Sequence, residues 1–293
     1  MPVLQRVSVS LKNILVATDF SSVSDIATSY AKALALNFRS SVVIAHVFDP
    51  SMVTAYVEGI LRTPVKQRRL LSVEGLEKLQ EDFSASGIEV RTALPEGHPP
   101  QAALLRFAQE HEADLIVAGT HSKWGLERLV LGSTAEELIR KAACSVLTVG
   151  PHARQPEAGL LVFRTIVYAT DFSVHASKAA VYALSFAQDS GAHLYFCHIA
   201  DAEATPAERE GMDTAFNAAL SKMIPESVYE WCSPQTVVRH GHPAAAILEL
   251  ADNVNADLIV LGARNASFWL THIEHGLTPD LLAAARCPVM TVC

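Results

Sequence analysis

The segment GTHSKWGLERLVLGST, residues 119–134, contains the residue types that a phosphate-binding loop uses. It follows the apolar run ADLIV and precedes AEELIRKAAC, which has the pattern of a helix. The N-terminus of a helix offers unpaired N–H groups and the positive end of its dipole, and hydroxyl groups add further donors. The segment matches neither a Walker loop nor a dinucleotide-binding fingerprint. We therefore predict phosphate binding at Gly132, Ser133 and Thr134, with Lys123 adding positive charge.

The length and composition indicate a globular protein of two domains. A chain of 293 residues corresponds to two units of ~150 residues, and half of its residues are hydrophobic. The net charge of −8 disfavours nucleic acid or an acidic membrane surface as partner, because both bind clustered cations. We interpret the one basic cluster as a solvated helix face; it comprises Arg62, Lys66, Arg68 and Arg69.

Neither export nor membrane insertion is indicated. No apolar run approaches the ~18 residues that a membrane span needs, and residues 1–13 lack the apolar core of a signal peptide. The five cysteines contain no CxxC pair and predict neither a disulfide framework nor a zinc site. We expect a cytoplasmic protein in which Cys144 and Cys287 are small buried side chains.

The chain contains an internal duplication, with five similar segments in the same order in each half. The offset between the copies falls from 152 residues early in the unit to 143 later, so the second copy has lost nine residues. We predict domains at residues 1–151 and 160–293, joined by the linker PHARQPEAG. The paired segments are ILVATDFS and IVYATDFS, AHVFD and CHIAD, EGHPPQAAL and HGHPAAAIL, EADLIVAG and NADLIVLG, and CSVLTVG and CPVMTVC.

The periodicity of each copy predicts an α/β fold. Short β-branched runs alternate with helical patterns, which in the first copy cover residues 22–36, 70–86, 100–110 and 134–143. Continuously apolar strands between helices are typical of a parallel sheet that is covered on both faces. We predict a five-stranded, doubly wound sheet in each copy. Ligands of such sheets bind at the carboxyl ends of the strands, where the sequence places Thr18, Asp19, His46, Val47 and Gly119.

Taken together, these blocks resemble the universal stress protein family of adenine-nucleotide-binding domains. The resemblance rests on the TDFS, GHP and ADLIVxG blocks and on a glycine pattern of the form Gly-x2-Gly-x9-Gly-Ser/Thr, and it covers both halves. It implies two tandem flavodoxin-like domains of the adenine nucleotide alpha-hydrolase type, each with strand order 3-2-1-4-5. It also implies that domains pair along their fifth strands, which predicts an intrachain pseudo-dimer and allows a further homodimer.

The resemblance also implies a ligand and its contacts. The ligand is ATP, ADP or AMP, with Mg²⁺ as a companion ion. Asp19 would accept hydrogen bonds from the ribose or the adenine, Val47 would meet the adenine through its backbone, and Gly119 would let the chain pass close to the ribose and phosphates. The predicted site comprises Thr18, Asp19, Val47, Gly119, His121, Ser122, Lys123, Gly132, Ser133 and Thr134.

Both copies depart from the family pattern. In the first, Ser122 replaces the second glycine of the loop, so an empty or altered pocket is the alternative to nucleotide binding. In the second, His275 and Gly276 stand where the first copy has Gly132 and Ser133. We therefore predict a degenerate second site; the alternative is that it holds adenosine or another small ligand. It would retain Asp171, Ile199 and Gly262.

Several of these side chains have a purely structural alternative. Asp19 and Asp171 could brace the turn after their strands, although a capping pair of Ser22 and Asp25 would leave Asp19 available for a ligand. We interpret four other histidines as structural, namely His46 and His198 in strands and His98 and His242 in loops before helices.

The functional prediction is nucleotide binding without evident catalysis. His121 is the histidine best placed for phosphate chemistry, and no histidine pair predicts a metal site. No nucleophile elbow, metalloprotease motif or Walker motif is present, which favours a stress-response nucleotide sensor over an enzyme. Two alternatives remain: an interaction module that binds no nucleotide, and a slow ATP hydrolase.

Overall fold

The computed structural model describes residues 9–51, 64–120, 132–156, 163–200, 205–262 and 277–293. His121, Ser122 and Lys123 of the predicted site lie outside these residues, as do His275 and Gly276. The described first half contains strands β1 Asn13–Ala17, β2 Ser41–Ala45, β3 Val90–Ala93, β4 Leu115–Gly119 and β5 Ser145–Val149. Its helices are α1 Ser22–Phe38, α2 Val65–Ala85, α3 Pro100–Glu110 and α4 Ser133–Lys141.

The second half repeats this order of elements. Its described strands are β6 Thr165–Ala169, β7 His193–Ala200, β8 Ser233–His240, β9 Leu258–Gly262 and β10 Val289–Val292. Its helices are α5 Val174–Ser190, α6 Pro206–Met223, α7 Pro243–Asn253 and α8 Leu277–Ala284, and a short 3₁₀ helix spans Glu226–Glu230.

All ten strands belong to one sheet of order β3-β2-β1-β4-β5-β10-β9-β6-β7-β8. Each half therefore has the predicted order 3-2-1-4-5, and its strands are parallel. The halves meet where β5 pairs antiparallel with β10. The fold prediction, two five-stranded α/β units with helices on both faces, is confirmed.

The burial of the strands explains why their sequences are continuously apolar. One face of the sheet packs against α1, α2, α5 and α6 in a single apolar cluster that continues from one half into the other. The opposite face packs against α3 and α4 in the first half and against α7 and α8 in the second. Strands covered on both sides expose neither face to water, and this removes the alternation of apolar and polar residues.

The helices agree with the predicted periodicity, and the differences lie at their ends. Helix α3 has the predicted bounds, α1 extends to Phe38, and α2 begins at Val65, earlier than predicted. The prediction that Ser22 caps α1 is wrong. Ser21 is the cap, and its hydroxyl oxygen accepts a hydrogen bond from the Ser24 N–H at 3.2 Å. Ser22 is instead the first residue of the helix.

Two buried threonine hydroxyl groups form hydrogen bonds across the junction between the halves. Register pairs Val289 with Thr148 and Thr291 with Val146. The Thr148 hydroxyl donates to the Val289 carbonyl oxygen at 3.1 Å, and the Thr291 hydroxyl donates to the Val146 carbonyl oxygen at 3.2 Å. Both threonines are buried, so these hydrogen bonds satisfy groups that water cannot reach.

The first residues of the predicted linker pack against the protein. Ala153 is buried, and the Arg154 N–H donates to the Arg286 carbonyl oxygen at 3.1 Å. The hydroxyl of Tyr30 on α1 donates to the Arg154 carbonyl oxygen at 2.8 Å. The chain leaving β5 is thus held by both halves. In the described part of the chain, no helix is both long and apolar enough to cross a bilayer.

We predict that Gly150→Ala destabilises the junction. A methyl group on Gly150 would lie 2.8 Å from the Leu282 carbonyl oxygen, and a main-chain oxygen can yield only if the junction shifts. We expect the free energy of unfolding to fall by about 1–3 kcal/mol, measured by urea denaturation.

The matched control is Gly211→Ala in α6, where a methyl group would have no heavy atom within 4 Å apart from its chain neighbours and its own helix backbone. That variant should gain about 0.5–1 kcal/mol, because alanine favours a helix interior. Equal stability of Gly150→Ala and wild type would contradict the close approach at the junction.

Candidate functional site

The turn after β1 is built by two side chains of the predicted site. Phe20 has a φ of 58°, and its N–H donates to the Thr18 hydroxyl oxygen at 3.0 Å. The Ser21 N–H donates to Asp19 Oδ1 at 3.0 Å. One carboxylate oxygen of Asp19 therefore stabilises a turn that places a non-glycine residue in the left-handed region.

The second half repeats this turn almost atom for atom. Phe172 has a φ of 60°, its N–H donates to the Thr170 hydroxyl at 3.0 Å, and the Ser173 N–H donates to Asp171 Oδ1 at 2.9 Å. Because the geometry recurs in both halves, the repeated TDFS block has a structural explanation. Ligand contact by Asp19 or Asp171 would be additional to this role.

His46 and His198 connect the second strand of each half to the same turn. The Nδ1 of His46 donates to the Thr18 carbonyl oxygen at 2.8 Å, and the Nδ1 of His198 donates to the Thr170 carbonyl oxygen at 2.8 Å. Each imidazole also packs against the phenylalanine of the turn, with ring centroids 4.8 and 4.7 Å apart. These contacts agree with a structural role, although both histidines are half-buried rather than buried.

Val47 follows His46 at the carboxyl edge of the sheet. Its side chain is half-buried and packs against the apolar cluster below α3 and α4. The main chain on either side is held by β3 and the loop after it, since the His46 N–H donates to Ala93 O at 3.1 Å and the Phe48 N–H to Pro95 O at 2.8 Å. The predicted adenine position is therefore a fixed stretch of backbone.

Gly119 lies at the end of β4 against the start of α1. A methyl group there would lie 3.2 Å from the Ser24 nitrogen and 3.2 Å from Val23 Cγ1. Packing of α1 on β4 thus favours glycine at this position without any ligand. This close approach was not predicted from the sequence.

Thr120 and Gly132 bracket residues 121–131 and are joined by a hydrogen bond. The Gly132 N–H donates to the Thr120 carbonyl oxygen at 2.7 Å, and the buried Thr120 donates its own N–H to Val149 O at 2.9 Å. The N-terminus of α4 is thereby fixed beside the ends of β4 and β5. This is the edge at which ligands of doubly wound sheets bind.

Gly132 caps α4 with its backbone alone. It has φ −67° and ψ 138°, its carbonyl oxygen accepts the Glu136 N–H at 3.1 Å, and it offers no side-chain cap. The N–H groups of the first helical turn have no partner within the helix. Ser133 is exposed and Thr134 half-buried, so two hydroxyl groups stand near these donors. A helix terminus with open N–H groups is able to bind an anion.

A buried carboxylate lies at the same edge and was missed from the sequence. Asp49 accepts the Ser51 N–H at 2.8 Å and the Ser51 hydroxyl at 2.6 Å through Oδ1, and its Oδ2 lies 2.7 Å from His98 Nδ1. The Ser51 hydroxyl above all, with help from His98, lowers the pKa of Asp49. This cluster fixes the loop before α3, as predicted for His98. The sequence feature that could have indicated this contact is the repetition of the AHVFD block, which ends at Asp49, and of the GHP block, which contains His98.

The described part of the basic cluster at the start of α2 packs on the same loop. The guanidinium groups of Arg68 and Arg69 each lie 5.6 Å from the centre of the Phe48 ring, and Arg69 also pairs with Glu96. These arginines are partly solvated, as predicted, and in addition they cover the buried Phe48.

The three residues predicted for the second site lie on different elements of the second half. Asp171 lies in its turn, Ile199 is half-buried in β7 opposite Arg239, and Gly262 ends β9. The segment that aligns with the phosphate loop falls within residues 263–276, outside the described residues. Across the described ranges, no three His, Cys, Asp or Glu side chains are grouped so as to hold a metal ion.

These features define a tandem α/β protein built from two doubly wound halves. The family model for the universal stress protein family matches residues 10–150 and 163–292. The chain therefore belongs to the universal stress protein family, with one matching segment in each half.

Individual relatives support the same assignment. A universal stress protein of Methanocaldococcus jannaschii is 37% identical over 139 residues, which cover 47% of this chain and 81% of the relative. A second from the same organism is 27% identical over 160 residues and covers 48% and 96%. The crystal structure of a universal stress protein from Archaeoglobus fulgidus superposes with a TM-score of 0.72, covers 98% of each chain, and is 19% identical. That superposition shows a shared fold along the whole chain.

We predict that Asp49→Asn lowers stability in a pH-dependent way. A lowered pKa in the folded state means that the ionised carboxylate stabilises the fold above its unfolded pKa of about 3.9, and that this contribution is lost as the pH falls through the lower folded pKa. The variant should be about 1–2 kcal/mol less stable than wild type near pH 7, and the difference should narrow below about pH 4.

Urea denaturation at several pH values measures this difference. The control is Asp82→Asn, which removes an exposed carboxylate paired with Lys32 and should change stability by less than about 0.5 kcal/mol. A deficit of the Asp49 variant that is constant across pH would show that charge is not the cause.

Proposed function

We propose that the first half of the chain binds an adenine nucleotide at the carboxyl edge of β1, β2 and β4. The observation that carries the proposal is the first turn of α4. Gly132 caps this helix without a side chain, and its position is fixed by the hydrogen bond to Thr120. A phosphate group can therefore approach the open N–H groups directly. The chain belongs to the universal stress protein family. Its resemblance to the adenine-nucleotide-binding domains of that family supports the same ligand class.

The proposed ligand would lie across the edge with its phosphates at α4 and its adenine near Val47. Ser133 and Thr134 would supply hydroxyl donors, and Asp19 would accept a hydrogen bond from the ribose or the adenine. Glu136 in the first turn of α4 is acidic, and the basic residues of that helix, Arg140 and Lys141, lie at its far end. Positive charge for the phosphates would therefore come from Lys123 and from Mg²⁺ accompanying ATP.

The proposed role is binding rather than turnover. Two carboxylates at this edge have structural partners, Asp19 in its turn and Asp49 on Ser51 and His98. A group that activates water needs an accessible lone pair aimed at the phosphate. We propose a cytoplasmic stress-response sensor in which nucleotide occupancy changes stability or partner affinity by linkage. Slow ATP hydrolysis is tested as an alternative in the same samples.

The second half is proposed to be a partner domain with a degenerate site. By the offset of 143 residues, His275 and Gly276 replace the glycine and serine that begin α4. Its strand β10 covers the β5 edge of the first half. The chain would thus form a pseudo-dimer of one binding domain and one covering domain.

We predict that Gly132→Asp weakens nucleotide binding while the fold is retained. Aspartate is among the best helix caps and fits the extended backbone of Gly132, so α4 should remain stable. Its carboxylate would occupy the first-turn N–H groups and repel phosphate. We expect the Kd for Mg·ATP to rise at least tenfold to about a hundredfold, measured by isothermal titration calorimetry.

The control is Gln101→Asp, which places the same charge in the first turn of α3 at the same edge of the sheet. It should bind as wild type does. Absence of any heat with millimolar ATP, together with no nucleotide released from denatured wild type, would reject the proposal in favour of an interaction module. Phosphate release from bound ATP would instead identify a hydrolase.

We further predict one nucleotide per chain. Only the first half has the glycine, serine and threonine sequence at the start of its fourth helix. The titration above, together with the absorbance of nucleotide released from a known amount of protein, measures the stoichiometry. Two equivalents would show that the second half also binds and that its site is not degenerate.

A further inference from the structure

The junction of the two halves has two equivalent sides, and the described residues fill one of them. On one side Tyr30 donates its hydroxyl hydrogen to Arg154 O, and the buried Ala153 packs beside it. The equivalent residue on the other side is Tyr182, 152 positions later. It borders an open cavity of about 500 Å³ whose lining includes Asp114, Cys144, Lys178 and Cys293. The linker thus fills one side of the junction and leaves the other accessible.

Two free cysteines, Cys144 and Cys293, line this cavity. The antiparallel register pairs Val289 with Thr148 and Thr291 with Val146, and continuing it by two residues places Cys293 opposite Cys144. Directly opposed residues in antiparallel strands have Cα atoms ~4.5–5.5 Å apart, which is within the range that a disulfide spans. The Cys293 Sγ lies 3.2 Å from the Cys144 carbonyl oxygen, so its thiol already lies against the other residue.

The filled side of the junction lacks this pair. The same register places Gly150 opposite Cys287, so one thiol there has no counterpart. A cysteine pair therefore occurs only where the junction is open to solvent. The unpaired Cys287 on the filled side thus serves as a control for the cysteine pair on the open side.

We propose that Cys144 and Cys293 form a redox modification site, at which a peroxide converts the two thiols into a disulfide that joins the two halves of the chain. In the first step the Cys293 sulfur attacks hydrogen peroxide, which yields a sulfenic acid and one water. In the second step the Cys144 sulfur attacks the sulfenic sulfur and displaces a second water. Two thiols lose two hydrogen atoms, and the peroxide is reduced. This proposal does not rest on the proposed nucleotide site.

The charges that face the pair assign these roles. Burial raises the pKa of Cys293, but the Lys178 ammonium counteracts this and lies 3.3 Å from the Cys293 main-chain oxygen. Burial, Cys293 and Asp114 together raise the pKa of Cys144 to about 12. Cys293 is therefore the easier thiol to ionise and attacks first. Because both pKa values are raised, the reaction is slow at neutral pH and accelerates as the pH rises.

The test uses the reduced full-length chain and hydrogen peroxide. After oxidation, the protein is denatured in N-ethylmaleimide without reductant, and intact mass spectrometry counts labelled thiols. The reduced chain should accept five labels, one for each cysteine, and the oxidised chain should accept two fewer. Peptide mapping should recover Cys144 linked to Cys293, and the rate of label loss should increase with pH.

Two variants complete the test. Cys287→Ser removes the thiol on the filled side and should still lose two labels. Cys144→Ser should lose one label, with oxygen added at Cys293 and no linked peptide. The proposal is overturned if wild type keeps all five labels, if it gains oxygen at Cys293 without a linked peptide, or if the linked peptides join other cysteines or two chains.

Discussion

The pairing of β5 with β10 is the interaction on which the rest of the structure depends. Each half ends in a hydrophobic strand at the edge of a parallel sheet, and an unpaired edge of that kind would invite association with other chains. Antiparallel pairing of the two final strands removes both edges at once. It also joins the apolar cluster on one face of the sheet into a continuous core. The duplication thus supplies its own partner within the chain.

Duplication also separates structural from ligand-directed features. The turn after the first strand, with its aspartate, phenylalanine and strand-two histidine, is the same in both halves. The second half keeps this turn although its sequence differs at the positions of Gly132 and Ser133. A structural role in folding is therefore enough to explain the turn. The start of α4 differs in this respect, because its glycine, serine and threonine occur together in only one half. A ligand is therefore better argued from α4 than from Asp19.

Much of the architecture could be predicted from sequence because it follows from local periodicity and from the repeat. The strands, α3 and the strand order 3-2-1-4-5 needed no long-range information beyond the family resemblance. The Asp49–His98 contact could not be predicted in the same way, because two loops separated by a helix and a strand must meet to form it. The close approach of Gly119 to α1 likewise depends on how a helix packs on its strand. Ser21 and Ser22 are adjacent serines, so residue type alone does not show which of them caps α1.

The proposed phosphate position and the junction are connected through a short chain of hydrogen bonds. Gly132 donates to Thr120 O, Thr120 donates to Val149 O at the end of β5, and β5 pairs with β10. At the next residue, Gly150, an added Cβ would lie 2.8 Å from the carbonyl oxygen of Leu282 on α8 and 3.9 Å from the Thr120 hydroxyl. A phosphate held at α4 would therefore stabilise the backbone that positions the junction, and a distorted junction would displace the cap of α4. Linkage is reciprocal, so a contact that stabilises the junction through this chain would also stabilise phosphate binding at α4.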